Sequence, residues 1–149
     1  MGTDRSPHET YMQAAGEGWC MRASNLRLRM QDSTTLRTAC LRYAHAFTVQ
    51  TAQTAFANGR GKIDERLARW LLMAHDRLEQ DELPLTHEFL GIMLGVRRAG
   101  VTVALHLLEQ RGLIETGRKA IRVADRNGLR AAANGTYGVA EAEYRRLFD

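Results

Sequence analysis

The stretch GIMLGVRRAGVTVALHLLEQRGLI, residues 91–114, decides the fold of this chain. It contains the end of one amphipathic helix, a break at Gly95, and a second amphipathic helix that begins near Arg97 and Arg98. Glycine suits the break because a side chain is costly in the left-handed conformation that closes such a turn. The pattern predicts a helix-turn-helix, in which the second helix crosses the first at a fixed angle.

The positions on either side of the break support this prediction. We expect the first helix to follow Thr86, its N-cap, and to end at Leu94, with Leu90 facing inward. Gly91 leaves room for the second helix to cross closely, and Val96 fills the angle between the helices. Four apolar residues at helical spacing are predicted to form the inner face of the second helix: Val101, Ala104, Leu105 and Leu108.

The second helix, about Arg97–Arg111, is the predicted recognition helix. Four polar residues lie on its outer face: Arg97, Arg98, Thr102 and His106. In a helix-turn-helix the amino end of this helix enters the major groove of DNA. Arg98 can donate two hydrogen bonds to a guanine, worth about 1–3 kcal/mol of discrimination. The alternative is that these arginines are solvated surface charges, and for His106 an exposed histidine without a role is the simpler interpretation.

The segment IETGRKAIRV that follows predicts a β-hairpin. Residues 114–116 and 120–123 form its two strands, around the turn Gly117-Arg118-Lys119. A hairpin after a helix-turn-helix is a wing, and its basic tip is placed to contact phosphate.

A second pattern lies upstream. Ser33 or Thr34 can cap a helix that runs to about Asn58. Six residues recur along it at spacings of four and three: Leu36, Cys40, Tyr43, Phe47, Gln50 and Thr54. A stripe this narrow is typical of a coiled-coil seam, so we predict that the helix pairs with its own copy. An ordinary amphipathic helix packed within the chain is the alternative.

These patterns divide the chain into an amino-terminal segment (1–32), a dimerisation helix (33–57), a hinge (58–63) and a winged helix-turn-helix domain (64–149). The predicted fold is therefore mainly α with a small β component. In the first segment, residues 9–22 predict two short extended segments around a turn, and a short helix follows, capped by Ser24.

After the hinge, Asp64 is the predicted cap of the next helix. The tail predicts two more helices, from Asp125 and from about Val139. Five apolar or aromatic residues of the tail are expected to cover the core of the domain: Leu129, Tyr137, Tyr144, Leu147 and Phe148. The tail is also a candidate surface for RNA polymerase, although no residue in it is specific to that partner.

Composition limits the function classes. The chain has 149 residues, 44% hydrophobic and 26% charged, as in an ordinary folded protein. No apolar run reaches 18 residues, and the polar amino end lacks an apolar signal core, so we expect a cytoplasmic protein without a membrane partner. The net charge is +4, and almost all of the positive charge is arginine. This composition mildly favours nucleic acid as a partner.

No metal site, cofactor or catalytic site is predicted. Cys20 and Cys40 form no CxxC pair and have no histidine cluster nearby, so we expect two reduced thiols. HExxH, P-loop and GxSxG motifs are absent. His75-Asp76 and His87-Glu88 are sequence neighbours on helices, and their side chains diverge by about 100°. We therefore do not expect an enzyme.

The combination resembles the Crp/Fnr family of bacterial transcription regulators over residues 9 to about 140. It is strongest from ERLARWLLMAHDRL (65–78) through LTHEFLGIMLGVRRAGVTVALHLLEQRGLIETGRKAI (85–121). The resemblance implies a homodimer on the long helix, a winged helix-turn-helix in each subunit, and double-stranded DNA with a near-palindromic operator as partner. Relatives carry an amino-terminal β-roll that binds an effector. Only its last strands are expected here, within residues 9–22, with no cyclic-nucleotide site.

Residue by residue, the resemblance assigns Thr86 and His87 to phosphate contacts and Arg98 to base reading. Ala99, Thr102 and Val103 fall at neighbouring readout positions. Two of them depart from the family, because Ala99 stands where a glutamate is common and Val103 where an arginine is common. We therefore expect an operator different from the best-known family sequence. The alternative function is a protein-interaction module that pairs with a full-length relative and modulates it.

Overall fold

The computed structural model describes residue 6, residues 12–118 and residues 120–149. Strands are few and helices dominate, which confirms the predicted fold class. The helices in the described residues are α1 (Ala23–Asp32), α2 (Thr34–Arg60), α3 (Ile63–Leu78), α4 (His87–Leu94), α5 (Arg98–Gln110), α6 (Arg126–Ala132) and α7 (Val139–Phe148). The strands are β1 (Glu82–Leu83), β2 (Ile114–Thr116) and β3 (Ile121–Val123). Contacts divide the chain into two compact units, Met1–Ala44 and His45–Asp149, so the division falls inside α2.

The first unit departs from two predictions. Residues 12–22 form no strand, and residues 9–11 lie outside the described part of the chain. The physical reason is that two isolated strands make no stable sheet, and the described part of this unit offers no other strand to pair with. Helix α1 begins one residue earlier than Ser24, which lies within it, and its N-cap is Arg22.

Helix α2 begins as predicted and ends later than predicted. The Ser33 hydroxyl accepts a hydrogen bond from the Leu36 backbone N–H at 3.2 Å, which makes Ser33 the N-cap. The helix continues past residue 57 to Arg60. In the second unit its buried residues are Ala46 and Ala57, eleven positions apart and therefore on the same face.

The predicted hinge at 58–63 is reduced to Gly61 and Lys62. A Cβ on Gly61 would lie 2.9 Å from the Ala57 carbonyl oxygen, so only glycine fits this tight break. The next helix, α3, begins at Ile63 and not after Asp64. Its start is fixed by the Glu65 carboxylate, which accepts a hydrogen bond from the Lys62 backbone N–H at 2.9 Å.

The three strands form an antiparallel sheet in the order β1-β3-β2. The hairpin strands β2 and β3 agree with the predicted wing. Strand β1 was not predicted. It pairs Glu82 with Arg122 and Leu83 with Ile121, which joins the loop before α4 to the wing.

Helices α3, α4 and α5 pack with the sheet and α6 around one apolar core. The largest fully enclosed side chains among the described residues are Leu67, Leu71, Leu72, Leu83, Leu90, Val101, Leu105, Leu108, Ile114, Ile121 and Leu129. The buried Arg69 guanidinium donates from Nε to the Thr136 carbonyl oxygen at 2.9 Å, and burial lowers its pKa. This core makes a fixed base for the helix-turn-helix.

Helix α6 is attached to α3 by a polar cluster. The Arg126 guanidinium and the Tyr137 hydroxyl both donate to the Asp76 carboxylate, at 2.6 Å each. Partial burial and the hydrogen bond to Asp76 raise the pKa of Tyr137 to about 12. Asp125 caps α6 by accepting from the Gly128 N–H at 2.9 Å, as predicted for the start of this helix.

The aromatic residues of α7 do not cover the core as predicted. Tyr144 and Phe148 are 49% and 40% exposed and stack on each other, with ring centroids 4.7 Å apart. The residue that α7 buries is Ala140, and Leu147 is half-buried. Leu129 is buried and Tyr137 packs against the core, as expected.

No single helix in the described residues has the length and apolar character needed to cross a membrane. The pair α4 and α5, bent by 104°, meets that test jointly by length and composition.

Candidate nucleic-acid interface

Helices α4 and α5 meet at 104°, within the range typical of a helix-turn-helix. Gly95 closes α4 in the left-handed conformation, with φ of 64°. A Cβ on Gly91 would lie 3.0 Å from the Val96 carbonyl oxygen, so the missing side chain lets the turn fold back over α4. The Thr86 hydroxyl accepts from the Phe89 backbone N–H at 3.2 Å and caps α4. The predicted turn is therefore formed as the sequence indicated.

The inner face of α5 is completely buried. Its four predicted residues are all in the core: Val101, Ala104, Leu105 and Leu108. The Arg66 side chain donates to the last carbonyl of α4, at Leu94, and also to the Asn58 side chain. Since the inner face of α5 is buried and the end of α4 is held by Arg66, the outer face of α5 has one fixed orientation.

The outer face of α5 begins with two unpaired arginines. Arg97 and Arg98 are exposed, and their guanidinium groups make no hydrogen bond or ion pair within the described residues. Ala99 is exposed, Val103 is 60% exposed, and the His106 side chain is 67% exposed. His106 Nδ1 lies 3.7 Å from the Glu109 carboxylate. The predicted readout positions thus share one solvent-facing surface.

His87 and Thr102 connect the two helices at this surface. The Thr102 hydroxyl donates to the Arg98 carbonyl at 3.2 Å and lies 3.1 Å from His87 Nδ1. Because the Thr102 hydroxyl proton is donated to the Arg98 carbonyl, the hydroxyl oxygen acts as acceptor toward His87. This arrangement assigns the imidazole proton to Nδ1 of His87.

The wing presents its tip at the turn between β2 and β3. The turn is closed by a hydrogen bond from the Gly117 N–H to the Ala120 carbonyl at 2.9 Å, and Arg118 is exposed beside it. Lys119, the second predicted contact at the tip, lies outside the described residues. An ion pair between Arg122 and Glu115 joins the two strands.

The sequence did not indicate how the wing is attached to the recognition helix. One Glu109 carboxylate oxygen accepts from both the backbone N–H and the hydroxyl of Thr116, at 2.8 and 2.6 Å. These two hydrogen bonds lower the pKa of Glu109. A lone glutamate near a helix end gives no signal of this role, because the contact depends on where the hairpin returns.

The Glu109 contact makes wing stability depend on pH. Since the folded-state pKa lies below the usual value of 4.5, the stabilisation is full above that pH and is lost as pH falls through the folded value. We expect wild type to be more stable than Glu109→Gln at pH 6, with the difference shrinking below pH 4.5. Urea unfolding of both proteins at several pH values measures this. A difference that stays constant down to pH 3 would contradict it.

Comparison with known proteins decides the class of this domain. Residues 65–132 match the family of Crp-like helix-turn-helix domains. This segment is a Crp-like helix-turn-helix domain. The resemblance to the Crp/Fnr family predicted from the sequence is thereby confirmed for residues 65–132. The matched segment runs from the first turn of α3 to the end of α6 and includes the wing, so it contains every candidate DNA-binding residue.

Two solved structures have the same fold. One is described as a transcriptional regulator of the Crp/Fnr family from Eubacterium rectale, with 22% identity and a TM-score of 0.60 over 78% of this chain and 54% of that one. The other is a CRP-family transcriptional regulator from Thermus thermophilus, with 21% identity and a TM-score of 0.54 over 59% of this chain and 48% of that one. The chain thus spans about half the length of these structures. A search of curated protein sequences found no match.

Proposed function

We propose that this chain is a sequence-specific, DNA-binding transcriptional regulator that acts as a homodimer. The observation that carries the proposal is the solvent-facing surface of α5 in a Crp-like domain, where Arg97 and Arg98 have no carboxylate partner among the described residues. Guanidinium groups left unpaired at the amino end of a recognition helix suit base edges and phosphates.

In this proposal the contacts divide by chemistry. Base edges are met by the outer residues of α5: Arg98, Ala99, Thr102, Val103 and His106. Phosphates are met around them by Thr86, His87, Arg97, Arg118 and Lys119. The Thr86 hydroxyl uses a lone pair to cap α4, so its proton remains available to a phosphate oxygen. Phosphate contacts fix the position of the domain, and base contacts supply the preference.

The proposed dimer uses the stripe on α2. Tyr43 and Phe47 are 59% and 57% exposed, while Leu36 and Cys40 are half-buried. Gln50 and Thr54 continue the stripe; the Gln50 side chain accepts from Arg77, and the Thr54 hydroxyl donates to the Gln50 carbonyl. Two aromatic rings presented on one helix stripe favour pairing with a second copy. A two-fold dimer would then recognise an inverted repeat, with half-sites about 34–36 Å apart.

The test is selection of bound sequences from a random double-stranded DNA pool. We expect an inverted repeat to be recovered. Recovery of no preferred sequence would overturn the proposal, and capture of a full-length relative by a chain without DNA affinity would establish the interaction module instead.

The salt dependence of binding gives a quantitative check. If Arg97, Arg118 and Lys119 each neutralise one phosphate, a dimer neutralises about six, and log affinity should fall with log salt at a slope of about −5. Titration of the selected duplex at four or more salt concentrations measures the slope. A slope near zero would show that phosphates do not contribute as proposed.

A further inference from the structure

The exposed surface of α5 includes two apolar residues beside its arginines. Ala99 and Val103 lie four residues apart, opposite the buried Val101, and both are exposed. They stand one turn apart beside Arg98, on the part of α5 proposed to enter the groove. Val103 is 60% exposed, so it does not belong to the buried face of α5.

The polar groups next to these two side chains are already in use. The Thr102 hydroxyl donates to the Arg98 carbonyl and contacts His87. The group of Thr102 that remains for contact with a base is therefore its methyl group. The carboxylate of α5, Glu109, accepts from Thr116 in the wing. The first two turns of α5 therefore contain no carboxylate that could accept from a base amino group.

The major groove offers one apolar group, the C5-methyl of thymine. Cytosine and adenine present amino donors there, and Ala99 and Val103 cannot accept from them. We infer that Ala99 and Val103 recognise thymine through its methyl group, beside the base pair that Arg98 reads. This inference rests on the proposed function and names the bases that the site prefers.

The test uses the selected duplex and replaces its thymidines one at a time by deoxyuridine. Deoxyuridine also pairs with adenine and differs only in lacking the C5-methyl group. For wild type, we expect deoxyuridine at one or two positions in each half-site to weaken binding about fourfold, the loss for one buried methyl-sized group. Deoxyuridine outside the half-sites should have no effect, which controls for altered flexibility of the DNA. Fluorescence anisotropy at one salt concentration measures each affinity.

A protein variant assigns the effect to a side chain. Val103→Ala should bind thymine and deoxyuridine equally at one of these positions. Val139→Ala is the matched control, because Val139 is 53% exposed on α7 and should leave the thymine preference unchanged. The inference is overturned if wild type prefers the selected duplex over a scrambled one yet ignores every thymine methyl. In that case the proposed function stands, whereas equal binding to the scrambled duplex would overturn the proposed function itself.

Discussion

Replacing Arg98 by alanine should remove the preference for one base pair in each half-site. The Arg98 guanidinium is exposed and unpaired within the described residues. Its removal therefore breaks no interaction of the folded domain that the structure shows. A bidentate arginine–guanine contact contributes about 1–3 kcal/mol, which corresponds to a loss of about 5- to 150-fold in discrimination at that base pair. Affinity for other base pairs at that position should change much less.

The matched control is Arg111→Ala. Arg111 is an exposed arginine at the C-cap of the same helix, about 20 Å from Arg98 along the helix axis. We expect this variant to keep the preference. Arg118→Ala and Lys119→Ala should instead weaken binding to all sequences alike, since the wing tip is proposed to contact phosphate. Binding of a panel of single-substitution duplexes distinguishes these cases. If Arg98→Ala kept the full preference, α5 would not be positioned in the groove as proposed.

The helix-turn-helix could be predicted because several local requirements agree. The N-cap at Thr86, the glycine that allows close approach at position 91, and the left-handed turn at Gly95 each depend on residues nearby in sequence. The apolar spacing of α5 gives its buried face independently. When such signals point to one motif, sequence alone determines it.

The features that were missed depend on distant partners. Strand β1 has two residues, too short for a periodic pattern, and it exists because β3 returns beside it. The Glu109–Thr116 contact likewise appears only when the hairpin folds back on the end of α5. The predicted start of α3 is wrong because the Glu65 carboxylate accepts from the Lys62 backbone N–H, so the helix begins at Ile63, before Asp64.

The dimer proposal makes the largest predicted change. Phe47→Glu would place two carboxylates near each other across the two-fold axis, because each residue of a symmetric seam faces the partner's equivalent stripe. We expect the variant to be a monomer in sedimentation velocity, where wild type is a dimer. Its affinity for the inverted repeat should fall by about 10²- to 10⁴-fold, since the second half-site is no longer held at high effective concentration.

Phe56→Glu is the matched control for this change. Phe56 is 48% exposed on α2, where its ring lies 5.5 Å from the Arg60 guanidinium. Nine residues separate it from Phe47, about two and a half helical turns, so the two rings point to opposite sides of α2. The control should remain a dimer and keep its affinity for the inverted repeat. Both variants should bind a single half-site like wild type. If Phe47→Glu is still a dimer, the seam lies elsewhere; if it instead loses folding stability, the stripe packs within the chain, as an ordinary amphipathic helix would.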